Sequence, residues 1–316
     1  MDFKELNYII TTAECKSVTS AAKKLYISQP TLSYVINKTE RELGVRLFDR
    51  SSNPIALTYA GEKYVEKAKV ILREGENLRR EMSDIAGGDS GRLNIGMPTE
   101  RAGYMLPKVL GRFRESFPKA DVHLVEARSS EIIRDLEEDK IELAVLPVCN
   151  KDLPGNMVTE LICYEGLYLI AGDGMIKDGM LIKKGDATHL PLVDLSCVND
   201  LPFIQTSSEQ YIRKYIEQLK KTTALDPKEV IEVSSGFAAV QLAREGLGIT
   251  IVSDRAIIPH GGLSEFNCYR FREPEDLWEV NVIYKKSTYL GRPASYFIGL
   301  LKEVFSSTLS RLHQRC

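Results

Sequence analysis

Residues 17–61 read SVTSAAKKLYISQPTLSYVINKTERELGVRLFDRSSNPIALTYAG, and this stretch contains the start signals of two short helices. Ser17 stands where the N-cap of a first helix belongs. Ser28 precedes a second helix that has Pro30 in its first turn, where a missing N–H costs nothing. Two such helices across a tight turn form a helix-turn-helix. The positions expected to be buried between them are Ala21, Ala22, Leu25, Ile27, Leu32 and Val35.

The second helix carries polar residues on its predicted outer side. Gln and Asn side chains can read adenine edges in DNA, and Ser or Thr hydroxyls can contact several bases. We therefore predict a recognition helix that contacts DNA through Ser28, Gln29, Pro30, Thr31, Ser33, Tyr34, Asn37 and Lys38. Tyr26 stands in the turn, where many such motifs have Gly. An ordinary helical hairpin is the alternative interpretation of these features alone.

Residues 44–58, GVRLFDRSSNPIALT, follow the second helix. They predict a short strand, a turn at residues 51–54 and a returning strand, which together form a β-wing. Arg46 and Arg50 should then lie near backbone phosphates or the minor groove. A helix-turn-helix followed by a basic wing favours DNA binding over the hairpin alternative.

Five motifs in this region match the signature of LysR-type transcriptional regulators. They are Ala21-Ala22, Ser28-Gln29-Pro30, Glu42-Leu43-Gly44, Leu47-Phe48-Asp49-Arg50 and Leu57-Thr58-Tyr59-Ala60-Gly61. The chain departs from the family at Thr39, where Leu is usual. The resemblance implies a regulator of promoter DNA that is not an enzyme and needs no cofactor. It also implies a homodimer or a dimer of dimers, with RNA polymerase as a further candidate partner.

Residues 59–85 predict one long helix, because no breaker interrupts them. Apolar or small residues repeat along it in two interleaved seven-residue series, which indicates a coiled-coil seam. One series is Leu57, Tyr64, Ile71, Leu78 and Ile85, and the other is Gly61, Ala68, Gly75 and Met82. A dimer formed through this seam would place two recognition helices about one duplex turn apart. The alternative is a helix buried against its own domain.

Residues 86–91, AGGDSG, end this helix and predict a flexible hinge. The tetrapeptide GDSG also resembles the nucleophile loop of serine proteases. No His and Asp partners precede it in a β-rich context, so the hinge is the favoured interpretation.

Strands alternate with helices from Arg92 onward, which predicts a parallel α/β architecture. This part resembles the effector-binding domain of the same family, which is similar in fold to type 2 periplasmic binding proteins. The resemblance rests on Glu126-Ala127-Arg128-Ser129, Ile141-Glu142-Leu143-Ala144-Val145 and Ala243-Arg244-Glu245-Gly246-Leu247-Gly248-Ile249. Glu142 stands where the family has Asp, and Val252-Ser253 replaces a frequent Leu-Pro.

The predicted organisation is α/β with four parts. It comprises a winged helix-turn-helix (1–58), a dimerising linker helix (59–86), a hinge (87–91) and a two-lobed effector-binding domain (92–316). Lobe I covers about 92–163 and 269–306, and lobe II covers about 164–268.

A cleft between two α/β lobes is the expected place for a small-molecule effector, because ligands bind beyond the carboxyl ends of strands. Thr99 and Ser129 follow the first two strands, and their hydroxyls with nearby helix N–H groups can hold a small anion. Gln205 and Thr206 follow a strand of the opposite lobe and are predicted to close on the same ligand. Arg101 and Arg128 either add positive charge or are salt-bridged. At helix starts, all four uncharged residues could instead serve only as caps.

Composition is compatible with a cytoplasmic protein that has no membrane partner. The chain is 43% hydrophobic and has no apolar targeting segment. Residues 1–80 carry 14 Lys/Arg against 10 Asp/Glu, which leaves 28 against 34 in the remainder. This small basic excess fits DNA binding and fits a solvated charged face equally well.

No metal site is predicted, because the six cysteines and four histidines show no metal-ligand spacing. The cysteines are Cys15, Cys149, Cys163, Cys197, Cys268 and Cys316, and the histidines are His123, His189, His260 and His313. Some LysR-type regulators sense oxidants through a pair of nearby cysteines. Cys197 lies in roughly that region, so a redox sensor is an alternative.

Two other classes of protein remain as alternatives. One is a small-molecule-binding protein or enzyme with a helical hairpin at its front, and the other is an architectural DNA binder without an effector. No paired carboxylates, nucleophile elbow or phosphate loop supports catalysis. The preferred hypothesis is a DNA-binding regulator controlled by a small, anionic effector.

Overall fold

A computed structural model describes residues 2–52, 54–86, 90–148, 153–186, 189–207, 211–258, 261–272 and 277–306 of the chain. It divides into two compact units, residues 1–86 and residues 87–316. Some predictions fall wholly or partly outside the described residues. These are the turn at Asn53, the hinge at 87–89, a helix start at Glu209, and Cys149, Cys316, His260 and His313.

The first unit is a winged helix-turn-helix with one long helix behind it. Its elements are α1 (Phe3–Cys15), α2 (Val18–Lys24), α3 (Gln29–Leu43), β1 (Phe48–Asp49), β2 (Ala56–Leu57) and α4 (Tyr59–Ile85). Strands β1 and β2 pair antiparallel and form the wing. The predicted fold of this part is therefore confirmed.

Local signals determine where these helices begin. The Ser17 hydroxyl accepts a hydrogen bond from the Ser20 amide at 3.3 Å, and the Ser28 hydroxyl accepts one from the Thr31 amide at 3.2 Å. Both predicted caps are confirmed. Tyr26, in the turn between α2 and α3, has a φ of 55° and is 96% exposed. This left-handed conformation explains why glycine suits the position.

The core of this unit differs from the prediction at one residue of α3. Leu32, Ile36 and Thr39 are buried, whereas Val35 is only half-buried. Residues three and four positions apart share one face of a helix, so Val35 and Ile36 both lie beside Leu32. The contacts with α1 and the wing bury Ile36 and leave Val35 at the edge of the core. Leu25 and Ile27 are also half-buried, although they pack against the core.

Helix α4 packs against α1 of the same chain over its first half. Ala68 is buried there with Leu6 and Ile10 of α1. A Cβ on Gly75 would lie 2.8 Å from the Phe3 ring. The series of small residues thus serves contacts within the unit, as the alternative of self-burial expects. Ile71, Leu78, Met82 and Ile85 are exposed in the single chain.

The second unit contains eleven described strands and five described α-helices. They are β3 (Ser90–Met97), α5 (Thr99–Ser116), β4 (Lys119–Glu126), α6 (Ser129–Glu137), β5 (Leu143–Pro147), β6 (Met157–Ala171), β7 (Leu181–Lys183), β8 (Leu192–Val193), β9 (Phe203–Thr206), α7 (Tyr211–Thr222), β10 (Glu229–Val233), α8 (Gly236–Arg244), β11 (Thr250–Ser253), β12 (Asn267–Tyr269), β13 (Leu277–Lys285) and α9 (Arg292–Phe305). Ser90 and Gly91, predicted as hinge, already belong to β3, where they pair with Lys119 and Ala120.

One long strand joins the two lobes of this unit. Residues 157–166 of β6 pair with β13, and residues 167–171 pair with β11 and β12. The predicted lobe boundary at residue 164 therefore lies inside a strand. The main sheet has the order β11-β6-β13-β5-β3-β4, with β12 also paired to β6. Strands β9 and β10 form a separate pair, which a bridge between Phe203 and Ile249 connects to the start of β11.

The sheet is mixed, which corrects the expectation of a parallel architecture. Strands β4, β3 and β5 run parallel, as do β9 and β10. Strand β13 runs antiparallel to both β5 and β6, and β11 and β12 run antiparallel to β6. The chain passes between the lobes along β6 and returns along β13, so these strands oppose their neighbours.

Each lobe buries apolar residues on both faces of its sheet. In lobe I, α5 and α9 cover one face and α6 covers the other. In lobe II, α7 and α8 lie on opposite faces. Every residue of β5 is buried, as expected for a strand covered on both sides. Among the helices of the described ranges, none is long and apolar enough to cross a membrane.

Candidate functional site

The predicted recognition helix presents a polar outer surface. Gln29, Thr31, Tyr34 and Asn37 are exposed. The other predicted residues on this surface are Ser28 and Pro30, which are exposed, and Ser33 and Lys38, which are half-buried. The Ser28 and Thr31 hydroxyls lie 2.7 Å apart at the start of α3. These groups belong to the part of a helix that can reach base edges in the major groove.

The wing is held to the recognition helix by Glu40, which sequence reasoning missed. One oxygen of its carboxylate accepts hydrogen bonds from the backbone amides of Leu47 at 2.8 Å and Phe48 at 3.1 Å. Its other oxygen lies 3.4 Å from the Arg50 guanidinium, which also donates to the Asn37 side-chain oxygen. Arg50 and Asn37, predicted separately, are therefore brought together. The Asn37 NH₂ group takes no part in this hydrogen bond.

Two further cations of this surface have different surroundings. The Lys38 ammonium donates to the Glu5 carboxylate of α1 at 2.6 Å, and this hydrogen bond holds the pKa of Glu5 below its usual value. Lys38 must exchange this partner to contact a phosphate. Arg46 is exposed on the wing, and its carbonyl oxygen accepts from the Thr58 hydroxyl at 2.6 Å.

The second unit contains a cavity of about 740 Å³ beside the starts of three helices. Thr99 begins α5, Ser129 begins α6 and Gly236 begins α8, and all three residues line this cavity. The remaining lining residues are Pro98, Glu100, Arg101, Ala127, Arg128, Glu131, Pro147, Ile212, Ser234, Ser235, Val252, Ser253, Arg255, Ala256 and Trp278. Helix N-termini present unpaired N–H groups and partial positive charge, which favour an anion.

The predicted effector-binding residues divide into two groups. Thr99 and Ser129 line the cavity together, with Arg128 beside them. Gln205 and Thr206 are not among the residues that line this cavity, and their contact with an effector stays a prediction. The prediction ended their strand at Ile204, but β9 continues through both residues, which are fully buried and pair with β10. The cavity also includes Ser235 and Ser253, which sequence reasoning did not select.

A carboxylate bridges the two lobes at the rim of the cavity. Glu100, in the first turn of α5, accepts a hydrogen bond from the Ser235 hydroxyl at 2.5 Å. The same oxygen lies 3.5 Å from the Phe237 amide at the start of α8. The N-terminus of α8 thus already has one anionic partner from the opposite lobe.

A buried cluster of charged groups adjoins the cavity, centred on Glu165 of β6. The Arg101 guanidinium donates to both Glu165 oxygens, at 2.6 and 3.1 Å. The Arg255 Nε and the Trp278 Nε1 each donate at 2.9 Å. Burial by itself raises the pKa of Glu165, but the charges of Arg101 and Arg255 outweigh it and lower that pKa to about 2. Arg101 is therefore salt-bridged, the second of the two predicted alternatives.

Asp254 is the second carboxylate near this cluster. Its Oδ2 accepts from the Gly166 amide at 3.3 Å, while its Oδ1 is buried and has no hydrogen-bond partner among the described residues. Burial, together with the charge of Glu165, raises the pKa of Asp254 to about 7. Sequence reasoning selected Arg101 from this cluster but missed Glu165, although Glu165 interrupts a run of apolar strand residues.

The described cysteines, Cys15, Cys163, Cys197 and Cys268, are all unbridged. Burial raises the pKa of Cys163 to about 12, so its thiol stays protonated. Cys197 is exposed, and the redox alternative for it remains a prediction. Within the described ranges, no group of His, Cys, Asp and Glu side chains has an arrangement that could hold a metal ion.

Comparison with known families finds two matches that cover nearly the whole chain. The model for the bacterial regulatory helix-turn-helix protein, lysR family, matches residues 3–62. The model for the LysR substrate binding domain matches residues 86–306.

Individual relatives agree with these matches. The Bacillus subtilis HTH-type transcriptional regulator YcgK is 30% identical over 260 residues, which is 79% of each chain. A full-length OxyR variant from Pseudomonas aeruginosa is similar in structure, with a TM-score of 0.66, 22% identity and coverage of 96% of this chain and 94% of that chain. CbnR in complex with its target DNA has a TM-score of 0.55 at 22% identity, with coverage of 96% and 99%.

Proposed function

Because the chain belongs to the family of LysR-type transcriptional regulators, we propose that its promoter binding is controlled by a small anionic effector in the cavity of residues 90–306. The chain is a DNA-binding transcriptional regulator with an effector-binding domain, and regulators of this family are typically not enzymes. We assign DNA contacts to the exposed face of α3 and to Arg46 and Arg50 of the wing. We assign effector contacts to Thr99 and Ser129.

One observation carries the assignment of an anionic effector. Three helix N-termini, those of α5, α6 and α8, border the same cavity. Each contributes partial positive charge. At α8 the Glu100 carboxylate and the Ser235 hydroxyl already accept hydrogen bonds from the Phe237 and Ala238 amides, so the starts of α5 and α6 carry the argument. The hydroxyls of Thr99 and Ser129 add neutral donors beside them. This arrangement stabilises a carboxylate or a similar anion better than a cation or an apolar ligand.

The proposed mechanism couples the cavity to DNA through the relative position of the two lobes. Thr99 and Ser129 belong to lobe I, while Ser235 and Ser253 belong to lobe II. A ligand that contacts both sides favours the closed arrangement of the lobes. It shifts the equilibrium only by its difference in affinity for the two arrangements.

We further propose that the functional assembly is a homodimer, or a dimer of such dimers, that works in the cytoplasm. The exposed apolar residues of α4, Leu78 and Ile85 among them, support self-association. Two copies would read a site with dyad symmetry. Contact with RNA polymerase is a further element of the proposal.

The decisive experiment measures binding of the full chain to promoter DNA beside its own gene, at stated salt concentrations. We expect the variant Gln29→Ala/Ser33→Ala to bind this DNA at least about tenfold more weakly, because each lost base contact costs roughly 1–3 kcal/mol. Gln218→Ala, an exposed residue of α7, is the matched control and should bind as the wild type does.

Small carboxylic acids are then added to the same assay. An acid that changes the affinity or the footprint supports effector control. Specific binding that no acid changes supports the architectural alternative. If neither this promoter nor a genome-wide binding selection yields a specific site, the assignment of α3 as a recognition helix is wrong.

A further inference from the structure

We infer that Arg255 forms the binding site for a carboxylate group in the cavity, and that the effector is a small carboxylic acid with an apolar body. This inference rests on the proposed function of the cavity and adds to it a specific residue and a ligand class. Arg255 follows β11 and is not itself a helix-start residue, so the assignment rests on its side chain rather than on a helix N-terminus.

First, Arg255 has hydrogen-bonding capacity that no described residue uses. Arg255 is one of the residues that line the cavity, and its side chain is 5% exposed. Its Nε donates to Glu165, whereas its two terminal nitrogens, Nη1 and Nη2, have no hydrogen-bond partner among the described residues. Buried N–H donors without partners are costly, and a guanidinium presents them in a planar fork. A ligand oxyanion in the cavity would satisfy them.

The second step is the fixed position of this guanidinium. Glu165, which anchors the Nε of Arg255, is itself held by Arg101 and Trp278. One face of the Arg255 guanidinium lies over the Tyr104 ring, with 3.9 Å between its central carbon and the ring centroid. Because it is anchored at one edge and covered on one face, the guanidinium offers its outer edge. That edge matches the two oxygens of a carboxylate.

The third step is the charge of the cluster. Arg101 and Arg255 carry two positive charges, and Glu165 carries one negative charge. Asp254 balances the second positive charge only when it is ionised, and burial raises its pKa to about 7. Near neutral pH the cluster therefore has an average positive charge that a bound carboxylate compensates. The Cys163 thiol, which also adjoins the cluster, stays neutral.

The remaining walls indicate what the carboxylate is attached to. Pro98, Pro147, Ile212, Val252 and Trp278 give the cavity an apolar lining. Such walls with a few placed polar groups suit a small organic molecule better than an inorganic ion.

Trp278 makes this site directly observable, since it is the only tryptophan of the chain and lines the cavity beside Arg255. We would titrate the full-length protein with sodium acetate at constant ionic strength and record tryptophan emission. Acetamide, which has the same shape without the charge, is titrated in parallel. We expect a saturable change with acetate and none with acetamide.

The variant Arg255→Lys keeps the charge and the contact to Glu165 but loses the planar fork. We expect its acetate affinity to fall by about tenfold, as for the loss of a charge-assisted hydrogen bond. Arg112→Lys is the matched control, because Arg112 forms an exposed two-point ion pair with Glu303 on α9. Circular dichroism establishes that both variants are folded. If the variant Arg255→Lys does not fold, the comparison of acetate with acetamide on the wild type still tests the assignment of a carboxylate site.

No saturable response of the wild type to acetate, an equal response to acetamide, or an unchanged affinity in folded Arg255→Lys would each overturn the assignment. The DNA-binding assay separates this result from the proposed function. If acetate does not bind but another acid still alters promoter affinity, Arg255 is not the site and effector control stands. If acetate binds as expected but no acid alters promoter affinity, the site stands and effector control does not.

Discussion

Asp254 is a buried carboxylate beside the ion pairs that Glu165 forms with Arg101 and Arg255. Its environment opposes ionisation. Arg255 attracts its charge, but burial and the neighbouring Glu165 charge prevail and raise the pKa of Asp254 to about 7. The reference value for this side chain is 3.8. Between these two values the folded chain binds a proton that the unfolded chain releases. Folding stability from this group is therefore full below the lower value and is lost as the pH rises toward 7.

Replacement of Asp254 by Asn tests whether the raised pKa of this carboxyl makes folding stability depend on pH. Asp254→Asn should raise the melting temperature at pH 8, and by less at pH 5, because the amide carries no charge to bury at either pH. The difference in stabilisation between the two pH values should be on the order of 1 kcal/mol or more. Thermal unfolding at pH 5 and pH 8 measures it. Asp121→Asn, at an exposed carboxylate, serves as the control. Equal stabilisation at both pH values would contradict a raised pKa.

At the scale of the secondary-structure elements, the start of α4 contains Gly61, which has less room for a Cβ than any other described glycine. The Thr58 hydroxyl accepts from the Gly61 amide at 3.0 Å and caps the helix. A Cβ on Gly61 would lie 2.0 Å from the carbonyl oxygen of Leu47, which precedes β1. Only glycine allows this approach, so the Leu-Thr-x-x-Gly motif reflects the docking of α4 on the wing. The same close approach places the wing relative to the rest of its unit.

Gly61→Ala should lower the free energy of unfolding of the first unit by roughly 1–3 kcal/mol, because a backbone oxygen cannot move aside as a side chain can. Promoter affinity should fall with it. Gly111→Ala on α5 is the matched control, since no atom lies within 4 Å of the added Cβ and alanine favours a helix by roughly 1 kcal/mol. Denaturant unfolding of both variants gives the comparison. If Gly61→Ala left the free energy of unfolding unchanged, the wing would be able to move away from α4.

For the whole molecule, the exposed face of α4 is the feature that a single chain leaves unexplained. Leu78 is 57% exposed and Ile85 is 72% exposed, both on the seven-residue series predicted for a seam. The first half of the same helix is already covered by α1. A second copy of the chain is therefore expected to cover the second half.

Leu78→Glu should shift the protein from a dimer toward its single-chain mass of 35.5 kDa, because it would bury a charge in the seam. Light scattering after size-exclusion chromatography measures the mass. Promoter affinity should fall as well, since two linked recognition helices bind together. Ile182→Glu, at an exposed apolar residue of β7, is the control and should leave the mass unchanged. A wild type that is already monomeric at micromolar concentration would contradict the seam.

Features that depend on neighbouring residues can be predicted from the sequence alone. Ser17 and Ser28 cap their helices, and the alternation of strands and helices after Arg92 follows from local periodicity. The same holds for Thr99 and Ser129, which begin helices directly after strands. Val35 was predicted to be buried in α3, whereas the adjacent Ile36 is the buried residue. Both are apolar, and the sequence does not show which of the two faces the core. That choice depends on α1 and the wing, not on the helix itself.

Contacts between distant residues become visible in the folded chain alone. Glu165 binds Arg101 and Arg255 across separations of 64 and 90 residues, and no local pattern links such positions. Gln205 and Thr206 appeared to leave their strand, but pairing with β10 extends β9 through both residues. The mixed sheet likewise follows from β13 returning between β5 and β6. Hydrogen bonds within a turn are encoded nearby, whereas strand pairing and buried ion pairs depend on chain segments that only folding brings together.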